Sequence, residues 1–342
     1  MSFIASAIKA FEGAPVPDPL RRAAIEMLVT RARLQLGQAT PDIEATFALE
    51  MASRPIAEHT AAANDQHYEL PAAFFQKVLG PQLKYSSSLY PAGVDDLAAA
   101  EEIALSETAS HAALADGQDI LELGCGWGSL TLWMARNFPG SKITAVSNSA
   151  SQGAYIRGQA QARGLTNVTV LTADMNTFSA PGQFDRVVSV EMFEHMANWR
   201  ALLTQVRGWL KPDGRAFIHV FTHRTTPYRF ELEDESDWIG QHFFSGGVMP
   251  SHGLMAQFPD LFEVEADWRW SGRHYERTAL DWLTNFDRND AAIRDVLKDV
   301  YGDTAPLWRR RWRLFFLATA GLFGHRGGEE WGVSHYRLKP VA

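Results

Sequence analysis

Two short stretches of the sequence hold residue types suited to chemistry. Ile120-Leu-Glu-Leu-Gly124-Cys-Gly126-Trp-Gly128 places three glycines two apart behind an apolar run, with Glu122 just before the turn. Glycines at this spacing let the backbone bend tightly and approach a ligand, and a helix opening behind them offers unpaired N–H groups. Glu191-Met-Phe-Glu194-His195-Met196 brings two carboxylates and an imidazole together, groups that move protons near neutral pH. Glu194 and His195 are adjacent, so on a helix they diverge by about 100° and need not face the same ligand.

The elements that must position these residues follow from periodicity. Between residues 118 and 222, short apolar runs alternate with amphipathic stretches. The runs are Asp119 to Leu123, Lys142 to Val146, Val168 to Leu171, Arg186 to Val190 and Ala216 to Val220. Ser129 to Asn137 sets Leu130, Trp133 and Met134 on one helical face and stops at Pro139-Gly140. The alternation predicts an α/β fold, a Rossmann-like doubly wound parallel sheet. The glycine turn then lies at the carboxyl end of the first strand and the Glu-rich motif at that of the fourth, where such sheets present ligands. Residues 1–63 are expected to form a helical cap, with Leu20, Ile25, Leu28, Val29, Ala32 and Leu36 near one face. Residues 64–117 are read as helices and an ordered Ser-rich loop covering the site, and 118–222 as the core. Residues 223–342 are read as an aromatic, mainly helical substrate region closed by a strand at Val333 to Leu338.

Composition narrows the function classes. A hydrophobic share of 46% and a charged share of 21% supply a sizeable core, and the net charge of −8 argues against binding a nucleic-acid backbone. One cysteine, Cys125, fits a reducing compartment, and the N-terminus lacks the basic and apolar regions of a signal peptide. A cytoplasmic protein is therefore expected. Leu314 to Gly324 is the longest apolar-leaning uncharged run, short of the about 17 to 25 residues a spanning helix needs. An NAD site would want G-x-G-x-x-G and an acid about 20 residues on. Here the second strand ends in Val146-Ser147-Asn148-Ser149, and no Walker lysine follows the glycines. No histidine pair has zinc-helix spacing, so no metal is expected, and Cys125 reads as a small packing residue.

The glycine turn resembles motif I of class I S-adenosylmethionine (SAM) methyltransferases. Further motifs occur in the order of the cyclopropane-fatty-acyl-phospholipid synthase family: Asn64-Asp-Gln-His67-Tyr68-Glu-Leu-Pro71, Tyr85-Ser86-Ser87, Val146-Ser-Asn-Ser-Ala-Ser-Gln152 and Glu191-Met-Phe-Glu194-His195-Met196. Within that family Phe243-Phe-Ser-Gly246-Gly247, His274-Tyr275 and Gly328-Glu-Glu330-Trp331-Gly-Val-Ser-His335-Tyr336 look most like the coclaurine N-methyltransferase branch.

The resemblance implies SAM as cofactor, S-adenosylhomocysteine as product and a small hydrophobic or aromatic amine as acceptor. It implies cofactor contacts at Tyr85, Ser86, Gly124, Gly126, Gly128, Asn148, Gln152, Asp174, Met175 and Glu191. Asp174 would meet the adenine amino group, with a helix N-cap as the plainer reading. Ser147, Asn148 and Gln152 stand where many relatives hold the ribose with an acid. Glu194, His195 and Glu191 would hold the protonated amine and accept its proton. Exposing the lone pair of an amine with a pKa of about 10.4 costs roughly 4 to 5 kcal/mol at pH 7.

Ser87, His219, Phe244, Trp331 and Tyr336 are the expected substrate contacts. In lipid cyclopropanation by relatives, a bicarbonate sits among a Cys, a Glu, a His and a Tyr. The corresponding positions here are Ser87, Glu194, His219 and Leu314-Phe315-Phe316, so two of the four groups are altered or absent. Lipid acyl-chain methylation or cyclopropanation, and non-catalytic SAM binding, remain the alternatives. Membrane contact would follow only from a lipid acceptor, and a homodimer is compatible with the sequence. Trp308, Trp312, Phe315 and Thr319 read as a buried helical stripe with arginines outside.

Overall fold

The protein is described by a computed structural model, in which residues 12, 16–37, 40–58, 70–230 and 238–341 are described. Most of the Asn64–Pro71 motif, residues 64–69, lies outside them. Helices α1 (Asp18–Leu36), α2 (Ile43–Met51), α3 (Ala72–Val78) and α4 (Leu97–His111) precede the sheet. Strand β1 (Asp119–Leu123) leads into α5 (Ser129–Asn137), β2 (Lys142–Ser147) into α6 (Ala150–Ala162), and β3 (Val168–Thr172) runs on to β4 (Phe184–Val190). Then come α7 (Trp199–Trp209), β5 (Leu210–His223), a two-stranded ribbon of β6 (Tyr228–Arg229) and β7 (Val248–Met249), and α8 (Trp238–His242) between them. The chain closes with β8 (Phe262–Ser271), α9 (Gly272–Arg288), α10 (Asp290–Tyr301), α11 (Ala305–Gly324) and β9 (Trp331–Pro340).

The seven-stranded sheet has the order β3-β2-β1-β4-β5-β9-β8. The first five are parallel, and β9 pairs antiparallel with both β5 and β8. The order reverses beside β1, which opens a crevice at the carboxyl ends of β1 and β4. β1 is apolar because helices cover both faces: Ile120, Leu121 and Leu123 are fully buried. α7 shows how a local pattern becomes packing. Asn198 caps it by accepting from Ala201 N at 2.9 Å, and Trp199, Leu202, Leu203, Val206 and Trp209 form its buried stripe.

Two expectations are corrected. Phe262–Ser271 is a strand, where a mainly helical region is expected; its outward Glu263, Glu265 and Asp267 alternate with Val264, Ala266 and Trp268, the period of an edge strand. In α1 the buried positions are Arg21, Ile25 and Val29, and Leu20 is exposed. The face is set by α11: a Cβ at Gly321 would lie 2.4 Å from Ile25, so only glycine lets the helices approach. Arg313 joins them by donating to Asp18 at 2.5 and 2.8 Å, and reaches Asp287 of α9 at 2.9 Å. Arg309 and Arg311 likewise pair with Asp290 and Glu12. In the expected α11 stripe Trp312 and Thr319 are buried, while Trp308 and Phe315 are only half-buried. Among the described residues no helix is long and apolar enough to cross a membrane.

Candidate active site

The turn after β1 is left-handed at each glycine: φ is +76° at Gly124, +50° at Gly126 and +82° at Gly128. A side chain at Gly124 would strike Met192 at 2.6 Å, whereas around Gly126 there is open space. Gly124 and Gly126 line two adjoining cavities, and Gly128 packs behind them against Ile156. The larger cavity encloses about 1320 Å³, its mouth included, and is walled by Phe221, Phe230, Phe244, Trp282, Phe315 and Phe323. The smaller runs along Ser147, Asn148, Gln152, Asp174 and Met175. Gln152 and His195 border both.

These surfaces suit a nucleoside-linked amino acid. Trp127 Nε1 and Ser129 Oγ, at the opening of α5, are buried without a partner among the described residues. They and the first N–H groups of α5 are donors for a carboxylate tail. Gln152 accepts from Ser147 Oγ at 2.7 Å, which holds it at the junction of the cavities. Asp174 accepts from Asn176 N at 2.8 Å, closing a turn and not capping a helix. Tyr85 and Ser86 border the larger cavity. Glu122 does so too; it accepts from Thr131 Oγ1 at 2.5 Å, and burial pushes its pKa up to about 8.

Glu191 meets the same cavity from the end of β4. Its φ of +46° is rare for a non-glycine residue and costs on the order of 1 kcal/mol, so the surroundings must hold it there. They do: Tyr275 Oη donates to Oε2 at 2.7 Å, and Ser87 N donates to Oε1 at 3.0 Å. His219 Nε2 stands 3.3 Å from the same Oε1. Burial raises the pKa of Glu191, while Lys84, Ser87 and Tyr275 oppose the rise. Lys84 is itself buried; it donates to Ser86 Oγ at 2.6 Å and Ser87 O at 2.5 Å, and desolvation pulls its pKa down to about 8. Lys84 is a residue the sequence reading missed. A lysine inside the Leu83-to-Tyr90 stretch, beside serines and aromatics, was the available signal.

The Glu194-His195 pair divides as its adjacency implies. Both sit on the single turn Phe193–His195; His195 packs on Phe244 at 4.4 Å and faces the cavities. Glu194 points into the core, where its Oε1 accepts from Phe221 N at 2.9 Å and its Oε2 has no partner among the described residues. Burial and the nearby Glu191 push its pKa well above the carboxylate range. Direct contact between Glu194 and a substrate is thus not what the geometry provides.

Four expected substrate contacts also lie off the cavity. Ser87 is fully buried and touches it only through Glu191. His219 is behind Glu191 and fully buried. Trp331 is enclosed, donating to Tyr228 Oη at 3.3 Å, and Tyr336 donates to His252 O at 2.7 Å. On β9 alternate residues face opposite ways, and neither of these turns toward the cavity. Phe244 does line it. Among the described residues no group of three or more His, Cys, Asp or Glu side chains converges as a metal site.

Comparison with known proteins adds to this geometry. The family described as mycolic acid cyclopropane synthetase matches residues 57–327. (S)-coclaurine N-methyltransferase of Thalictrum flavum subsp. glaucum is 34% identical over 99% of this chain and 96% of its own length. Cyclopropane-fatty-acyl-phospholipid synthase of Escherichia coli K12 is 31% identical over 78% of this chain and 66% of its own. A crystal structure of coclaurine N-methyltransferase bound to N-methylheliamine and S-adenosylhomocysteine superposes with a TM-score of 0.92, at 32% identity, over 99% of this chain and 100% of that one.

Proposed function

The chain belongs to the mycolic acid cyclopropane synthetase family, and from that premise we propose that it is a SAM-dependent N-methyltransferase of small hydrophobic or aromatic amines. One observation carries the proposal: Glu191, a carboxylate raised above its usual pKa, faces an aromatic-walled cavity at the glycine turn. The aromatic faces attract a cationic or electron-poor ligand, and the carboxylate holds the ammonium and takes its proton. His195, across the junction of the two cavities, orients the nitrogen. SAM, when bound, supplies the methyl group. Tyr85, Ser86, Gly124, Gly126, Asn148, Gln152, Asp174 and Met175 hold it, with Gly128 shaping the turn from behind. Much of the rate comes from aligning nitrogen and methyl in a closed cleft.

Lipid cyclopropanation is disfavoured by the same carboxylate. The anion position implied by Ser87 and His219 is filled by Glu191, which bonds both, and residues 314–316 offer no hydroxyl. A bicarbonate would have to displace the protein's own anion. Incubation with labelled SAM and an amine panel that includes coclaurine, heliamine and pavine, alongside unsaturated phospholipid vesicles with bicarbonate, tests the assignment. Methylated amine and unmodified lipid are expected; the reverse would replace this reading with the lipid one. Neither product, with SAM bound in calorimetry, would leave a binding protein. A cytoplasmic site of action and association into dimers belong to the same proposal, the second measured by light scattering.

A further inference from the structure

Behind Glu191 the hydrogen bonds continue. His219 Nε2 lies 3.3 Å from Glu191 Oε1, and His219 Nδ1 lies 2.9 Å from His335 Nε2. His335 Nδ1 is 2.8 Å from His111 Nδ1, and His111 Nε2 is 3.1 Å from Glu107 Oε1. The series passes from the end of β4 through the paired positions His219 and His335 on β5 and β9 to α4. His219 and His335 are 0% exposed and His111 is 8%, whereas the Glu107 side chain is 43% accessible. Trp268 stacks on His111 at 3.8 Å, and Phe217 and Trp270 pack on His335 at 5.2 and 4.3 Å, so aromatic rings enclose the path.

We propose that His219, His335 and His111 form a proton relay that carries the proton taken up by Glu191 to Glu107 and solvent. The inference rests on the N-methyltransferase reading, which requires an ammonium to be deprotonated in a cleft that amine and cofactor together close. Three consecutive buried imidazoles are a costly way to fill a core, since each polar nitrogen must be matched. Here each nitrogen has a partner, and the line has one buried and one wet end.

The transfer balances. The amine gives one proton to Glu191; Glu191 passes it to His219 Nε2, and His219 Nδ1–H passes to His335 Nε2. His335 Nδ1–H then passes to His111 Nδ1, and His111 Nε2–H to Glu107, which releases it to water. Each imidazole gains one proton and loses one, stays neutral, and returns to its first tautomer by reorientation between turnovers. Burial holds His219 and His335 well below their usual pKa, so the path carries no standing charge. Around its inner end stand Lys84, Tyr275 and Glu194, and around its outer end Arg337, which donates to His111 O at 3.3 Å.

The test uses the full chain with an amine of known pKa. His335→Gln and His111→Gln keep a hydrogen-bonding side chain but cannot pass a proton. With SAM affinity and melting temperature unchanged, steady-state turnover, which requires Glu191 to be discharged in every cycle, is expected to fall about tenfold below the amine pKa, and to recover towards the wild-type rate above it, where the acceptor arrives neutral. An undiminished rate at low pH, or the same deficit at every pH, overturns the relay. A second readout needs no acceptor. In ¹⁵N-histidine spectra, titrating the His111–Glu107 end changes the tautomer of His219 in the wild type and not in His335→Gln. A His219 signal indifferent in both overturns the relay even if the amine assignment stands, whereas a wild type inactive on amines but coupled in these spectra overturns the assignment alone.

Discussion

The two sides of the cleft are built differently. The glycine-turn side comes from contiguous chain: β1, its turn and the start of α5 make the bend, and β2 and β3 add the adjoining rim. The acceptor side is assembled from separate segments, with Glu191 after β4, Phe244 before β7, Tyr275 and Trp282 on α9, and Phe315 and Phe323 on α11. Backbone conformation decides the first side and side-chain packing the second. Substitutions should therefore act all-or-none on one and by degrees on the other.

The largest effect is expected at the turn. Gly124→Val places a branched side chain at φ +76° against Met192, so SAM binding should fall below detection in calorimetry. A variant that still binds within about tenfold would remove the distinction between the two sides. Glu191→Gln keeps the shape but not the base; kcat should drop about 100-fold or more with SAM affinity retained, as single-turnover assays would read. Phe244→Ala opens the aromatic wall, and KM for the amine should rise about tenfold with little change in kcat. Tyr336→Phe, away from the cleft, should leave both constants within about twofold. It should cost about 1 kcal/mol in denaturant unfolding, because it deletes only the bond to His252 O. A kinetic effect of Tyr336→Phe comparable to that of Phe244→Ala would mean that the cavity extends beyond the walls described.

The same division explains what the sequence made legible. The parallel strands and the turn are written in local apolar runs and glycine spacing, and β1 and α5 have the expected boundaries. The edge strand β8 was legible too, in the alternation from Phe262 to Trp270, but its aromatic richness masks the period of two. The ranking of the acids was not legible. Glu191 resembles an ordinary first-turn acid, and only the left-handed backbone, with contacts from residues 87, 219 and 275, turns it to the cavity. Trp331 and Tyr336 share a motif with His335, yet strand register sends none of them into the aromatic wall. The imidazole series joins residues more than a hundred positions apart, a juxtaposition no window of sequence contains.

α11 presents Phe315, Thr319, Leu322 and Phe323 to the cleft, while its remaining faces are clasped by Ile25, Asp18 and Asp287. The contour offered to an incoming molecule is thereby moored to α1. Appetite for one acceptor over another is inherited partly from residues that never meet it, and changes in α1 can retune selectivity while every lining residue keeps its identity.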